Sequence, residues 1–198
     1  MVTVHLVEEL IWHNEEAKAT TESADMVRMF NEAFEDLNPS NIDLYPEALR
    51  EKIDEVNTWL HDPVIIGAYK PWFLLTEEER AAALKELYAG LDRVEALLST
   101  QRYLVGNVFT EADIRLFVVL IRFDVSFVPL FKLPKRIETY PNILNYLRDI
   151  YQLPNIKETV NFEHIKLNAV GSMFNRDNVV LADPAVDYSA PHDRARFQ

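Results

Sequence analysis

Residues 109–124, FTEADIRLFVVLIRFD, decide how this chain folds. Thr110 stands three residues before Asp113, a hydroxyl and a carboxylate at the spacing of a capping box. The threonine oxygen accepts from the backbone N–H of Asp113, and the carboxylate reaches back to the N–H of Thr110. A helix therefore begins here. Beyond the box, Ile114, the run Leu116 to Ile121 and Phe123 leave no polar face, which predicts one continuous helix through the middle of a helical bundle. Arg115, Arg122 and Asp124 then need partners, because an unpaired buried charge costs on the order of several kcal/mol. Two readings stand side by side: a structural ion-pair network, or a charged rim on a pocket.

Working outward, the same helical period recurs in three further stretches. Met26, Met29, Phe30, Ala33 and Phe34 make one apolar stripe; Leu49, Ile53, Val56, Trp59 and Leu60 a second; Leu84, Leu87, Tyr88, Leu91, Val94 and Leu98 a third. Only the beginning of the chain differs. Val2, Val4 and Leu6 alternate with Thr3 and His5, the period of a half-buried strand, and Leu10 to His13 reads as a second short strand. Asn38-Pro39-Ser40, Asp62-Pro63 and Lys70-Pro71 read as breaks, since proline removes a donor and biases its predecessor away from the helical region. The fold expected is mainly α, preceded by a small β-β-α unit.

Composition limits what such a fold is for. The chain has 198 residues, 48% of them apolar, enough for a real core. Its 32 acidic against 20 basic residues give a formal charge of -12 without long like-charge runs, which argues against nucleic acid or an anionic membrane as partner. No cysteine is present, so disulfides, thiolate metal sites and thiol nucleophiles are all absent from these residues. The longest apolar run, Leu116 to Ile121, is far below the roughly 20 residues that span a bilayer; the expectation is a soluble, unprocessed, cytoplasmic protein. The histidines at 5, 13, 61, 164 and 192 show no metal-ligand spacing, and no metal is expected.

One further stretch points to a ligand. In TTESADMVRMF, residues 20–30, a helix opens with a hydroxyl, acidic side chains and unsatisfied N–H groups at the positive end of its dipole. Such an opening suits a carboxylate, or is an ordinary helix cap with acidic residues in its first turn.

These stretches together resemble a known family. TESADMVRMFNEAF (21–34), YPEALREKIDEVNTWL (45–60), GAYK (67–70), YLVGNVFTEADIRLFVVLIRFD (103–124), YPNILNYLRDIYQLPNIKETVNFEHIK (140–166) and DYSAPHDRAR (187–196) resemble, in order, the glutathionyl-hydroquinone reductases, the xi class of the glutathione transferase superfamily. The resemblance covers about residues 2–198. It implies a remnant β-β-α of a thioredoxin-like domain at residues 1–37. An all-helical glutathione-transferase C-terminal domain with an extended tail follows at 38–198. It also implies that the first β-α-β unit of the thioredoxin-like domain is missing, and with it the catalytic cysteine. Glu22 and Ser23 correspond to the γ-glutamyl contacts of glutathione, which is the one cofactor the resemblance leaves as a candidate. Two strands and one helix form a marginal unit with an open edge at residues 2–7, so a homodimer through that edge is expected.

The departures from the family are as informative as the matches. Where the family places a proline, normally cis, before the strand that contacts glutathione, this chain has Val2-Thr3-Val4, and a cis peptide before threonine would cost about 2.5 to 4 kcal/mol. At the acceptor site, two amides before the Gly-x-Tyr-Lys motif are Ile65 and Ile66, while Tyr69 is kept. A tyrosine and a histidine after Arg122-Phe123-Asp124 are Phe127 and Leu130, and a His-Tyr-Tyr stretch is Asn168-Ala169-Val170. Hydrogen-bonding groups have become largely hydrocarbon, which implies either a pocket retuned for an apolar ligand or one filled in as core.

The expected partner is a small hydrophobic or aromatic molecule. Glu22, Ser23, Arg28, Trp72, Phe127, Tyr151 and Val170 are the candidate binding residues, with aromatic core the competing reading for Trp72 and Tyr151. Tyr69, His164 and Asp124 are the candidate acid–base groups if the chain is instead an isomerase, cyclase or lyase acting on a polycyclic or quinone-like substrate. His164 lies on an apolar stripe, where a hydrogen-bonded core histidine is the competing reading.

Overall fold

The computed structural model describes residues 23–32, 42–74, 76–171, 179 and 181–197. The chain divides into two compact units, Met1–Leu44 and Tyr45–Gln198. Both expected strands, the edge proposed for dimerisation, Glu22 and the expected boundary between residues 37 and 38 lie outside the described residues.

In the first unit, α1 (Ser23–Glu32) occupies the stretch whose stripe begins at Met26 and Met29. Its last turn is tied to the chain that leaves the unit. The Asn31 amide donates to Asp43 at 3.0 Å, and its oxygen accepts from the N–H of Leu44 at 2.8 Å.

The second unit is a helical bundle, with α2 (Arg50–Leu60), α3 (Lys70–Phe73), α4 (Glu77–Leu98), α5 (Glu111–Leu120), α6 (Val128–Phe131), α7 (Pro141–Tyr151), α8 (Ile156–Thr159) and α9 (Phe162–Gly171). The apolar stripes read from the sequence face its core: Ile53 and Leu60 of α2 and Leu87, Leu91, Val94 and Leu98 of α4 are buried. Side chains fix the starts of α4 and α7. Thr76 and Glu79 form a capping box on α4. Glu95 of α4 accepts from the N–H groups of Asn142 and Ile143 at 2.9 Å, so one helix supplies the anion that the N-terminus of α7 needs. No helix among the described residues is long and apolar enough to cross a membrane.

The central helix is shorter than its sequence suggests. α5 ends at Leu120, and after Ile121 and Arg122 the chain widens into a π-helical turn, Phe123–Phe127, closed by the N–H of Val128 on the carbonyl of Phe123. Pro129 gives the physical reason: its ring has no N–H and collides with the carbonyl four residues back in a regular α-helix, so the backbone needs the wider turn just before it. Nor is α5 covered all round, since Val118 is 41% exposed. Proline acts in the same way at Asp62-Pro63, where the expected break is a second π-helical turn, His61–Ile65, continuous with α2. Lys70-Pro71 likewise opens α3 rather than interrupting structure, with proline in the first turn, where a missing N–H costs nothing.

Candidate functional site

The two π-helical turns place the side chains that matter. The turn His61–Ile65 lies against Gly90 of α4, where an added Cβ would stand 2.6 Å from a Val64 methyl. At Gly67 a Cβ would lie 1.9 Å from the carbonyl oxygen of Pro63, so only glycine lets the chain double back there and deliver Tyr69. The second turn, Phe123–Phe127, presents Ser126 and Phe127 on the same side of the bundle. Tyr69 meets Phe127 edge to face with centroids 4.8 Å apart, and Phe127 stacks on Phe131 of α6 at 5.9 Å.

Above this aromatic floor lies a cleft of about 290 Å³. Arg122 and Ser126 come from the end of α5 and the π-turn, Leu130 from α6, and His164, Asn168 and Ala169 from α9. The lining mixes polar side chains (Tyr69, Arg122, Ser126, His164, Asn168) with apolar ones (Phe127, Leu130, Phe131, Ile165, Ala169). Arg122 is half-buried; its Nε is fully enclosed and has no hydrogen-bond partner among the described residues. Among the described residues no aspartate or glutamate lines the cleft.

Of the candidate residues, the structure brings Tyr69, His164 and Phe127 together in this cleft. His164 is exposed on α9 rather than a core histidine, because α9 buries only Ala169. Asp124 points elsewhere: its carboxylate accepts from the N–H of Ile137 at 2.8 Å, and burial raises its affinity for a proton against the pull of that bond. Tyr151 is buried beneath the tail, its ring 5.8 Å from that of Tyr188. Val170, 46% exposed, is not part of the cleft wall, whereas its neighbour Ala169 is. Arg28 belongs to α1 in the first unit. Ser23 opens α1, and its side chain, like that of Trp72 in α3, lies outside the described residues. Among the described residues no group of three or more metal-ligating side chains comes together.

The capping box that opened α5 is the most heavily bonded polar point in the core. Asp113 accepts from the N–H of Thr110 at 2.9 Å, the Thr110 hydroxyl at 3.1 Å, the N–H of Leu104 at 2.9 Å and the Tyr146 hydroxyl at 3.0 Å. Burial nonetheless pushes its carboxyl up to about 6.

Comparison with known proteins follows the same residues. The glutathione S-transferase C-terminal domain family matches residues 77–149. Glutathionyl-hydroquinone reductase YqjG of Escherichia coli K12 is 44% identical over 178 residues, which make up 88% of this chain and 54% of that protein. The glutathione-bound structure of YqjG superposes with a TM-score of 0.84, covering 89% of this chain and 58% of that one. The chain belongs to the glutathione transferase superfamily. Within it the relatives are of the xi class: the xi-class transferase of Natrialba magadii, 35% identical, superposes with a TM-score of 0.84 over 88% of this chain and 54% of its own. The chain spans about half the length of the curated relatives it matches.

This transferase bundle has a second buried centre that sequence reasoning missed. Arg194, completely buried, reaches from the tail to the C-terminal end of α4 and donates to the carbonyls of Leu98 and Arg102 at 2.8 Å and to that of Gln101. Nearby, Arg102 grips Asp149 of α7 through two bonds of 2.8 Å, with His192 3.5 Å from the same carboxylate. Gln152 then holds the carbonyls of Tyr188 and Ala190. The tail after residue 180 has no period, which hid these roles. The one available signal was Asp-Arg-Ala-Arg itself, a charged cluster at the end of a chain otherwise short of cations.

Proposed function

We propose that this chain is a glutathione-transferase-like protein, related to the glutathionyl-hydroquinone reductases, which binds a small hydrophobic or aromatic molecule and has no thiol exchange chemistry of its own. One observation carries the ligand: Tyr69, Phe127, Leu130, Asn168 and Ala169, five of the eight positions at which the sequence keeps or departs from the family's acceptor site, line a single cleft of about 290 Å³, with Ile65, Ile66 and Val170 outside its wall. The departures are mostly toward hydrocarbon, and the cleft stays open rather than filled. A floor of stacked and edge-on rings favours a flat apolar molecule. The chemistry follows from the side chains present. Releasing glutathione from a thioether requires attack by a thiolate on sulfur, and the 198 residues contain none.

Two measurements test this. Native mass spectrometry of the purified chain is expected to show a retained apolar molecule that is absent from Ala169→Trp, in which the indole fills the cleft. Incubating the chain with a glutathionyl-hydroquinone and excess glutathione is expected to release quinol only at the background rate; release well above it would overturn the absence of thiol exchange. Glutathione itself binds YqjG in its solved structure. For this chain we place the contact at Glu22 and Ser23, to be checked by retention on immobilised glutathione.

A second reading, acid–base chemistry on a hydrophobic substrate, is favoured by the meeting of Tyr69 and His164 at one cleft. It dispenses with Asp124. Loss of turnover of an identified ligand in both Tyr69→Phe and His164→Gln, with binding retained, would establish it.

A further inference from the structure

We infer that the cleft selects ligands carrying one anionic group on an apolar body, with Arg122 as the partner of that group; the inference rests on the ligand-binding reading above. Three observations converge on Arg122. Its Nε is enclosed by protein and bonded to nothing among the described residues, although buried guanidinium N–H groups are almost always satisfied. The side chain as a whole is only half-buried and belongs to the wall of the cleft, so a bound molecule meets the part of it that is not enclosed. Among the described residues the cleft has no carboxylate in its wall, in a chain whose formal charge is -12.

The last point weighs most. A cation in an acidic protein ordinarily finds a carboxylate, and other basic residues of the same bundle do: Arg102 pairs with Asp149, and Lys166 with both Glu163 and Asp183. Arg122 does not. Its guanidinium therefore sets the local potential, and the apolar side chains that share the wall lower the dielectric in which an anion would feel that potential. The Tyr69 hydroxyl, Ser126 hydroxyl and Asn168 amide share the cleft and add donors for the same oxygens. Phe127, Leu130 and Phe131 supply no hydrogen bond, so they take the hydrocarbon end. A planar fork of donors beside stacked rings fits an aromatic carboxylate better than a neutral polycycle.

The test uses a matched pair of probes, 2-naphthoate and 2-naphthamide, titrated into the purified full chain by calorimetry, with acetate as the anion that has no apolar body. Naphthoate is expected to bind about tenfold more tightly than naphthamide, the range of one charge-assisted hydrogen bond. Acetate is expected to bind far more weakly than either. Arg122→Gln is expected to bring naphthoate down to the level of naphthamide while leaving naphthamide binding unchanged, and Arg122→Lys to restore part of the preference. Equal binding of the two probes by the unmodified chain would overturn the inference and leave the apolar ligand reading standing. So would a preference that survives in Arg122→Gln. Failure of both probes to bind the unmodified chain would overturn the ligand reading itself. Comparison of the two probes on the unmodified chain decides the matter even if the variants do not fold.

Discussion

Arg194 and Arg122 are the same side chain in opposite circumstances. Arg194 is wholly buried, and its two terminal nitrogens meet three backbone carbonyls where α4 ends, leaving only Nε over. The Leu98 carbonyl belongs to the negative pole of a helix of 22 residues and the other two to the chain just beyond it, so the guanidinium both satisfies orphan acceptors and complements the dipole. Arg122 sits just past the end of α5, yet it takes no such role and turns into a cleft. A buried cation that the fold uses is spoken for; one that the fold surrounds but does not bond is available to something else. Asp113 belongs with Arg194, as an anion whose acceptors are filled by two backbone N–H groups and two hydroxyls.

The sharpest way to break this contrast is to remove the best-bonded group. Asp113→Ala leaves the N–H groups of Leu104 and Thr110 buried without partners, at about 1 to 3 kcal/mol each, and the Tyr146 hydroxyl with only its long 3.4 Å bond to the carbonyl of residue 113, so a total loss of about 4 kcal/mol in urea unfolding is expected. A loss below about 1 kcal/mol would mean that water reaches the site. Arg194→Ala comes next. It strands the carbonyls of Leu98, Gln101 and Arg102 and unpins the tail, and a loss of about 2 to 3 kcal/mol is expected, together with faster proteolysis after residue 180. If the tail stays protected, the aromatic contacts of Tyr188 hold it instead.

How much of this the sequence disclosed depends on range. The Thr110 and Asp113 box was legible because both partners lie within one helical turn, and the stripes of α2 and α4 because burial repeats with the helical period. The wide turn at Phe123–Phe127 was not, since its cause, Pro129, acts on a carbonyl upstream and looks like an ordinary helix stop. Arg194 was invisible for a related reason: its acceptors lie 92 to 96 residues away, and backbone carbonyls have no sequence signature. At the cleft the positions were legible from the family resemblance, through Tyr69, Phe127, Leu130 and Asn168, while the meeting of His164 with them required the placement of α9. Asp124 looked as eligible as Tyr69 in the sequence, and only the N–H of Ile137 explains why its carboxylate is occupied.

A smaller effect sharpens the account of Asp113. Burial raises its carboxyl to about 6, above the ordinary value near 4, although four donors pull the other way. The folded protein therefore holds the proton over a pH range in which the unfolded chain has released it. The contribution of this group is fully present below about pH 4 and is lost as pH rises through 6. Relative to Asp113→Asn, which cannot titrate, the unmodified chain should lose about 1 kcal/mol of unfolding free energy between pH 5 and 7. A difference that grows with pH instead would show that the donors outweigh burial and hold the carboxylate ionised.

The smallest expected effect is the most discriminating. Arg122→Gln removes a half-buried charge, and for a buried one such a change ordinarily leaves a stranded partner and costs about 3 to 5 kcal/mol. Here no partner is left behind among the described residues, and the enclosed Nε loses a desolvation cost that nothing repays in the unliganded chain. Unfolding free energy is therefore expected to stay within about 0.5 kcal/mol of the unmodified value, the range of a surface substitution. A loss above about 1 kcal/mol would give Arg122 a structural task and remove the contrast with Arg194. An unchanged stability, set beside a lost preference for an anionic ligand, would mean that the same guanidinium contributes to binding and not to folding, which no residue retained for the bundle alone would do.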